Sequence, residues 1–426
     1  MDRRWLLATA VIAAGLVVVA CSGSSADDAT PTSQVRESST ETDTEDETED
    51  ETEDELAPLV ITSLAPDQIP FTGSDGKVHV AYELSVLNFA PNPAVITLLE
   101  TLDPDGNVVA SLSQDEVAAR AMIVPELSMA GMPDEGIPAG RTALLLLDDV
   151  FPDRGSVPSA VTHRVTATFT PTVPDEGYAA LWPPSVVQET ARMTVSSSEP
   201  PVVGAPLSGD GWLAASSCCD LNAHRFVLFP VAGGINGGER FAIDFMGVDP
   251  AGVIAPTSAA DVFHPGTDGS RNEDFLGYGA SVLAVGDATV VHVVDGVADT
   301  APGGTANAQG LSVNSLGGNE VVLRLGPDLY AFYLHLAPDS ITVEEGDTVK
   351  KGQEIARLGN SGNSSGAHLH FQLGDSPRFL TARNVPYVFE EFTLAGTLAD
   401  SGLVETPTPG PRTDALPLGS NVLDFP

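Results

Sequence analysis

Short runs in which apolar and polar residues alternate dominate the chain from about Leu59 onward, and each is cut off by Pro, Gly, Asn or Asp. Val78-His79-Val80-Ala81-Tyr82-Glu83-Leu84 and Val161-Thr162-His163-Arg164-Val165-Thr166-Ala167-Thr168-Phe169 are typical. A two-residue period puts every second side chain on one face of a strand, and the breakers supply turns. Asp103-Pro104-Asp105-Gly106-Asn107 is such a turn, in which Pro presets one dihedral and Gly accepts positive φ. The expected fold is therefore mainly β. An immunoglobulin-like β-sandwich is expected over 58–198, then an antiparallel β-sheet domain over 199–395, with Glu199-Pro200-Pro201 at the junction. Gln114 to Met122 is the one short helix-like piece. The segment 396–426 contains Thr406-Pro407-Thr408-Pro409-Gly410-Pro411, has little to bury, and is expected to be disordered or loosely packed.

At 426 residues the chain exceeds one ordinary core, which fits two globular units. Its 19 basic and 59 acidic residues leave a formal charge of −40, which repels nucleic acid and anionic lipid surfaces. No nucleic-acid partner is expected. Much of that charge lies between Asp27 and Glu55, where like charges repel and almost nothing apolar is available, so 22–57 reads as an extended acidic tether.

Upstream, Arg3 and Arg4 precede an apolar stretch from Trp5 to Ala20, and then Cys21. This is the anatomy of an export signal, and the stretch is shorter than the roughly 20 residues that a spanning helix prefers. Val18-Val19-Ala20-Cys21 resembles the lipobox of bacterial lipoproteins. That resemblance implies a signal peptide over 1–21, lipid on Cys21, and a location in the cell envelope outside the cytoplasm. An uncleaved anchor, or an ordinary signal cut near Ser22 to Ala26, is the alternative. Cys218 and Cys219 are adjacent and either form a vicinal disulfide or remain thiols; they are too few for a thiolate metal site.

The chemistry concentrates in the second half. Gly366-Ala367-His368-Leu369-His370-Phe371-Gln372 places two imidazoles at i and i+2, on one face of a strand. Tyr333-Leu334-His335-Leu336 alternates so that His335 is expected on the face of Tyr333, and Asp244 lies among apolar neighbours in Phe241-Ala242-Ile243-Asp244-Phe245. Three histidines and a carboxylate supply much of what a zinc hydrolase needs: neutral ligands, an open position for water, and groups that move protons.

Three further segments carry a family resemblance. Tyr278-Gly279-Ala280-Ser281-Val282-Leu283-Ala284-Val285-Gly286-Asp287-Ala288-Thr289-Val290 leads, Val343-Glu344-Glu345-Gly346-Asp347-Thr348-Val349-Lys350-Lys351-Gly352-Gln353 follows, and Gly359-Asn360-Ser361-Gly362 precedes the His-x-His strand. In this order they resemble the lysostaphin-type (LytM-like) peptidoglycan endopeptidases over roughly Phe241 to Leu373. The resemblance implies a metallopeptidase domain of the duplicated hybrid motif type, zinc as cofactor, Asp244 and His370 as zinc ligands, and His335 and His368 as catalytic residues. It also implies bacterial peptidoglycan stem or bridge peptides as substrate; a monomer is expected.

The family's remaining ligand is a histidine four residues before the aspartate, where this chain has Arg240. Arginine stays protonated and has no lone pair to give. If His224-Arg225-Phe226-Val227-Leu228-Phe229 and Glu239-Arg240-Phe241-Ala242-Ile243-Asp244 are the two strands of a hairpin with its loop near Gly234, His224 falls opposite Asp244 and replaces the lost ligand. His264 is a second candidate. The alternative to an enzyme is a non-catalytic homologue that binds cell wall or regulates another wall hydrolase.

Overall fold

The computed structural model describes residues 56–65, 67–124, 132–170, 181–219, 221–231, 233–249, 262–304, 312, 315–399, 402–404 and 408–426. The expected signal segment, Cys21 and nearly all of the acidic tether lie outside these residues. What they form is mainly β, in chain order and in content.

Among the described residues two five-stranded sheets come first. One runs Leu59–Ser63, Val78–Asn88, Thr142–Phe151, Ala121–Val124, with Phe71–Thr72 also on Val78–Asn88. The other runs Asp67–Gln68, Ser185–Val195, Ala160–Phe169, Ala94–Leu102, Val108–Ser113. Val80, Tyr82 and Leu84 of the first sheet share a core with Ile96, Val165 and Met193 of the second. The expected helix is shorter than its sequence suggested. It spans Gln114–Ala119, started where the Ser113 amide and hydroxyl both donate to Glu116, at 2.8 and 2.7 Å. Ala121–Val124 is already a strand, as the β-branched Ile123 and Val124 favour.

The strand Val78–Asn88 departs from simple alternation, because every residue from Val78 to Leu84 is buried. A strand buried on both sides needs a covering layer on both. Val78, Val80, Tyr82 and Leu84 face the sandwich core, while Ala81 joins the core of the later sheet. His79 and Glu83, on that second side, are buried polar groups. His79 bonds Asp148 and Asp75, and His163 meets Tyr82, so both are satisfied packing histidines.

Among the described residues the later sheet has thirteen strands. Its centre runs Asn421–Phe425, Gly209–Ala215, Ile243–Gly247, Leu369–Gly374, Leu329–Leu336, Asn319–Gly326, Ala288–Val294. The expectation of a loosely packed tail is overturned here. Gly410–Ala415 and Asn421–Phe425 are strands paired with Val388–Ala399, and the last also pairs with Gly209–Ala215. Val422, Leu423 and Phe425 are buried, and that apolar group at the far end of a Pro-rich text is enough to dock the segment.

Candidate metal centre

The centre of the sheet positions two of the expected ligands by register alone. Ile243–Gly247 pairs antiparallel with Leu369–Gly374 so that Asp244 stands opposite His370. Directly opposed residues share a face. His370 Nδ1 lies 3.1 Å from Asp244 Oδ1, and His368 Nε2, just before the strand, lies 3.4 Å from the same oxygen.

His335 reaches this face by breaking the alternation. Leu334 pairs with His370 and Tyr333 with Phe371, so Tyr333 points to the opposite side, where its ring packs on Phe371. The expectation that His335 follows Tyr333 is therefore corrected. His335 has φ of 61°, a left-handed backbone uncommon for a non-glycine residue, and its ring comes within 4.8 Å of His368 and 5.9 Å of His370.

His224 arrives by a different route from the expected hairpin. The strands that pair are Leu228–Val231 and Gly234–Gly237, with Leu228 opposite Gly237, so that ladder never reaches His224. His224 instead begins a short 3-10 turn, His224–Phe226. Its Nε2 nonetheless lies 3.2 Å from Asp244 Oδ2. Ligand atoms of His224, Asp244 and His370 all lie within 4.8 Å of one another. His264 is exposed in a turn, where its carbonyl accepts from Thr267, and it is not part of this group.

The four imidazoles each have one nitrogen fixed by a partner. His224 Nδ1 donates to Ser216 O at 3.0 Å, with Ala242 O at 3.2 Å. His335 Nδ1 donates to Ser361 O and His368 Nδ1 to Gly366 O, both at 2.8 Å. His370 Nε2 meets Gln372 Oε1 at 3.0 Å, and the Gln372 amide is held by Gly238 O. This turns His224 Nε2 and His370 Nδ1 toward Asp244, and these are the atoms that would serve as donors, once a metal displaced their protons, in a His/Asp/His metal site. Gln372 was not singled out from sequence, although it sits two residues after His370 on the same strand face. That spacing was the available signal.

Electrostatics centre on Asp244. Burial works against its charge, but His224 and His368 outweigh it and hold its pKa well below the ordinary carboxylate range. Burial likewise opposes protonation of His224, yet Asp244 lifts its pKa to about 9. His335 is driven the other way, first by burial and then by the neighbouring His368 and His370.

Arg240 does not face this group. Its Nε donates to Glu83 at 2.8 and 2.9 Å, and its Nη2 pairs with the same carboxylate. Arg225, next to His224, also pairs with Glu83, at 3.5 Å. Burial would raise the Glu83 pKa, but Arg240 and then Arg225 outweigh it and lower it. Cys218 and Cys219, on the loop leading to His224, are joined by a disulfide.

Residues 263–379 match the family model described as Peptidase family M23. His335, His368 and His370 fall inside that span, whereas His224 and Asp244 precede it. The chain is 46% identical over 55 residues to an uncharacterized metalloprotease of Haemophilus influenzae, covering 13% of this chain and 11% of that protein. It is 43% identical over 56 residues to the peptidoglycan DD-endopeptidase ShyA of Vibrio cholerae, covering 13% of each. Against the lipoprotein NlpD of Yersinia enterocolitica it is 39% identical over 62 residues, covering 14% of this chain and 61% of that protein. The matched segment thus spans a small part of the first two relatives and less than two thirds of the third.

Proposed function

The chain carries a domain of peptidase family M23, and from that premise we propose that it is a zinc-dependent endopeptidase that hydrolyses peptide cross-links of bacterial peptidoglycan. The observation that carries this reading is the convergence of His224, Asp244 and His370 within 4.8 Å even though Arg240 removes the family's usual histidine. His224, Asp244 and His370 would hold the zinc. Zinc bound there supplies a Lewis acid for the scissile carbonyl and lowers the pKa of water to roughly 7.

The remaining work falls to this chain's own residues. His335 and His368 each have Nδ1 tied to a backbone carbonyl and present Nε2 to the site, where His368 Nε2 lies 3.4 Å from Asp244 Oδ1. From that position His335, its Nε2 bare, takes the proton of the attacking water and passes it to the leaving amine, while His368, whose pKa Asp244 raises against burial, donates to the developing oxyanion. The substrate class is supported by the likeness to the Vibrio cholerae peptidoglycan DD-endopeptidase. Export with lipid on Cys21, and a reach into the wall along the acidic 22–57 tether, are supported by the order of residues at the N-terminus and by the lipoprotein name of the Yersinia enterocolitica relative.

A second reading, a non-catalytic wall-binding homologue, is favoured by Arg240 alone. Elemental analysis of the purified chain, in wild type and with His224→Ala or His370→Ala, separates the two. Near-unit zinc lost in both variants, together with release of new amines from isolated peptidoglycan, supports the enzyme. A folded wild type that takes up no zinc and releases none supports the second reading.

A further inference from the structure

His224 lies on neither a long helix nor a sheet ladder, so something else must hold its turn in place. The adjacent residue does much of this. Arg225 is buried to 2% exposure, and its guanidinium reaches across to the sandwich. It donates to Leu147 O at 3.0 Å and Tyr82 O at 3.3 Å, on two neighbouring strands of the first sheet, and to Cys219 O at 3.3 Å on its own loop.

Glu83 completes the arrangement. Its side chain is 1% exposed and it is paired with both Arg225 and Arg240. Arg225 follows His224, and Arg240 opens the segment that leads into Ile243–Gly247 and Asp244. One carboxylate from the sandwich therefore ties down both chain segments that bring the first two donor residues together. Buried charges of this kind persist only when paired, and loss of one partner leaves the others uncompensated.

We propose that Glu83, acting through Arg225 and Arg240, is a positioning residue for the metal donors His224 and Asp244, so that the N-terminal sandwich is a built-in part of the metal centre. This rests on the zinc reading above. Residues that orient metal ligands typically change metal affinity by roughly 10- to 100-fold when removed. Glu83 touches no donor atom, and its effect passes through the guanidinium groups to the backbone of the His224 turn and of the Arg240 segment.

The test is zinc affinity of the full chain, by competition with a chromogenic chelator, at a temperature where circular dichroism shows each variant folded. Glu83→Gln is the main variant. Asp149→Asn, in the same sandwich and bonded to the Tyr82 hydroxyl but not to Glu83 or either arginine, is the control for general destabilisation. The expected result is a 10- to 100-fold weaker affinity for Glu83→Gln and wild-type affinity for Asp149→Asn. Folded Glu83→Gln with wild-type affinity overturns the proposal, as does an equal loss in Asp149→Asn. If Glu83→Gln does not fold, Arg225→Lys decides: it keeps the charge but loses the fork that spans Tyr82 O and Leu147 O. Weakened zinc in Arg225→Lys supports the proposal and unchanged zinc overturns it. A wild type that binds no zinc fails the underlying reading instead, and the positioning role with it.

Discussion

His224 Nε2 stands 3.2 Å from Asp244 Oδ2 although no strand ladder connects the two residues. In the family pattern the first histidine stands four residues before the aspartate. Here Arg240 holds that position and is committed to Glu83, while the imidazole comes from a separate turn. The imidazole that meets Asp244 and the arginine at the family's histidine position thus lie on separate segments, and Glu83 pairs with an arginine on each.

Removing zinc should therefore destabilise the protein. A ligand that binds only the folded state stabilises it by an amount that grows with its concentration over Kd. Chelation is expected to lower the Tm of wild type by several degrees in a calorimetric scan, and to leave the Tm of His370→Ala unchanged.

Gln372→Leu should weaken zinc binding without disturbing the fold. The side chain is buried and holds His370 Nε2 at 3.0 Å, so its loss frees the ring tautomer and orientation. An affinity loss of about 10-fold or more, read by chelator competition, is expected. An unchanged affinity would mean that the strand alone orients His370.

His335→Asn separates chemistry from backbone. Asn tolerates the left-handed conformation that His335 adopts, with φ of 61°. The variant should fold and bind zinc as wild type does, while kcat on peptidoglycan fragments falls by roughly 100-fold or more. Equal loss of zinc would assign His335 to the metal instead.

Arg240→Met should cost stability. It leaves Glu83 buried with only the longer Arg225 contact, and breaking one side of a buried pair costs roughly 3 kcal/mol. Urea denaturation of the full chain measures it. A neutral result would show that Arg225 alone satisfies Glu83.

A pH effect follows from the sandwich interior, where Tyr82 Oη touches Asp149 Oδ2 at 2.6 Å and His163 Nε2 at 2.8 Å. Burial pushes the Asp149 pKa up to about 6, so its contribution to stability is full below the unfolded value and lost as pH rises through 6. Burial pushes His163 down to about 4, so its contribution is full above the unfolded value near 6.5 and lost as pH falls toward 4. The two slopes oppose one another between pH 4 and 6. Asp149→Asn removes one of them, and relative to wild type it should lose roughly 2 to 3 kcal/mol more stability on going from pH 6.5 to 4. Parallel pH profiles for the two proteins would refute this.

The β character, the turn at Asp103 to Asn107 and the His-x-His pair were legible because they depend on local periodicity and on residues a few positions apart, whereas the pairing of Asp244 with His370 joins strands far apart in the chain. Other features depend on atoms brought from far along the chain. The alternation of Tyr333 to Leu336 gave no sign of the left-handed turn at His335, since nothing in that text marks a break. The tail looked unable to pack because its Pro-rich text conceals the apolar Val422, Leu423 and Phe425, whose partners are Gly209–Ala215 and Val388–Ala399. The sequence suggests a hairpin register that sets His224 opposite Asp244, whereas the structure brings the two together through the His224–Phe226 turn.

What the amino-acid order determined by itself is a set of short strands, a face carrying His368 and His370, and the absence of a lone pair at Arg240. Period-two patterns and side-chain chemistry act locally, so they can be read without a fold. Only the tertiary structure decided that Arg240 and Arg225 share Glu83, and that this holds the His224 turn against Asp244. A buried charge can choose its partner only after burial has removed water as the competitor, and that choice spans more than a hundred residues of chain.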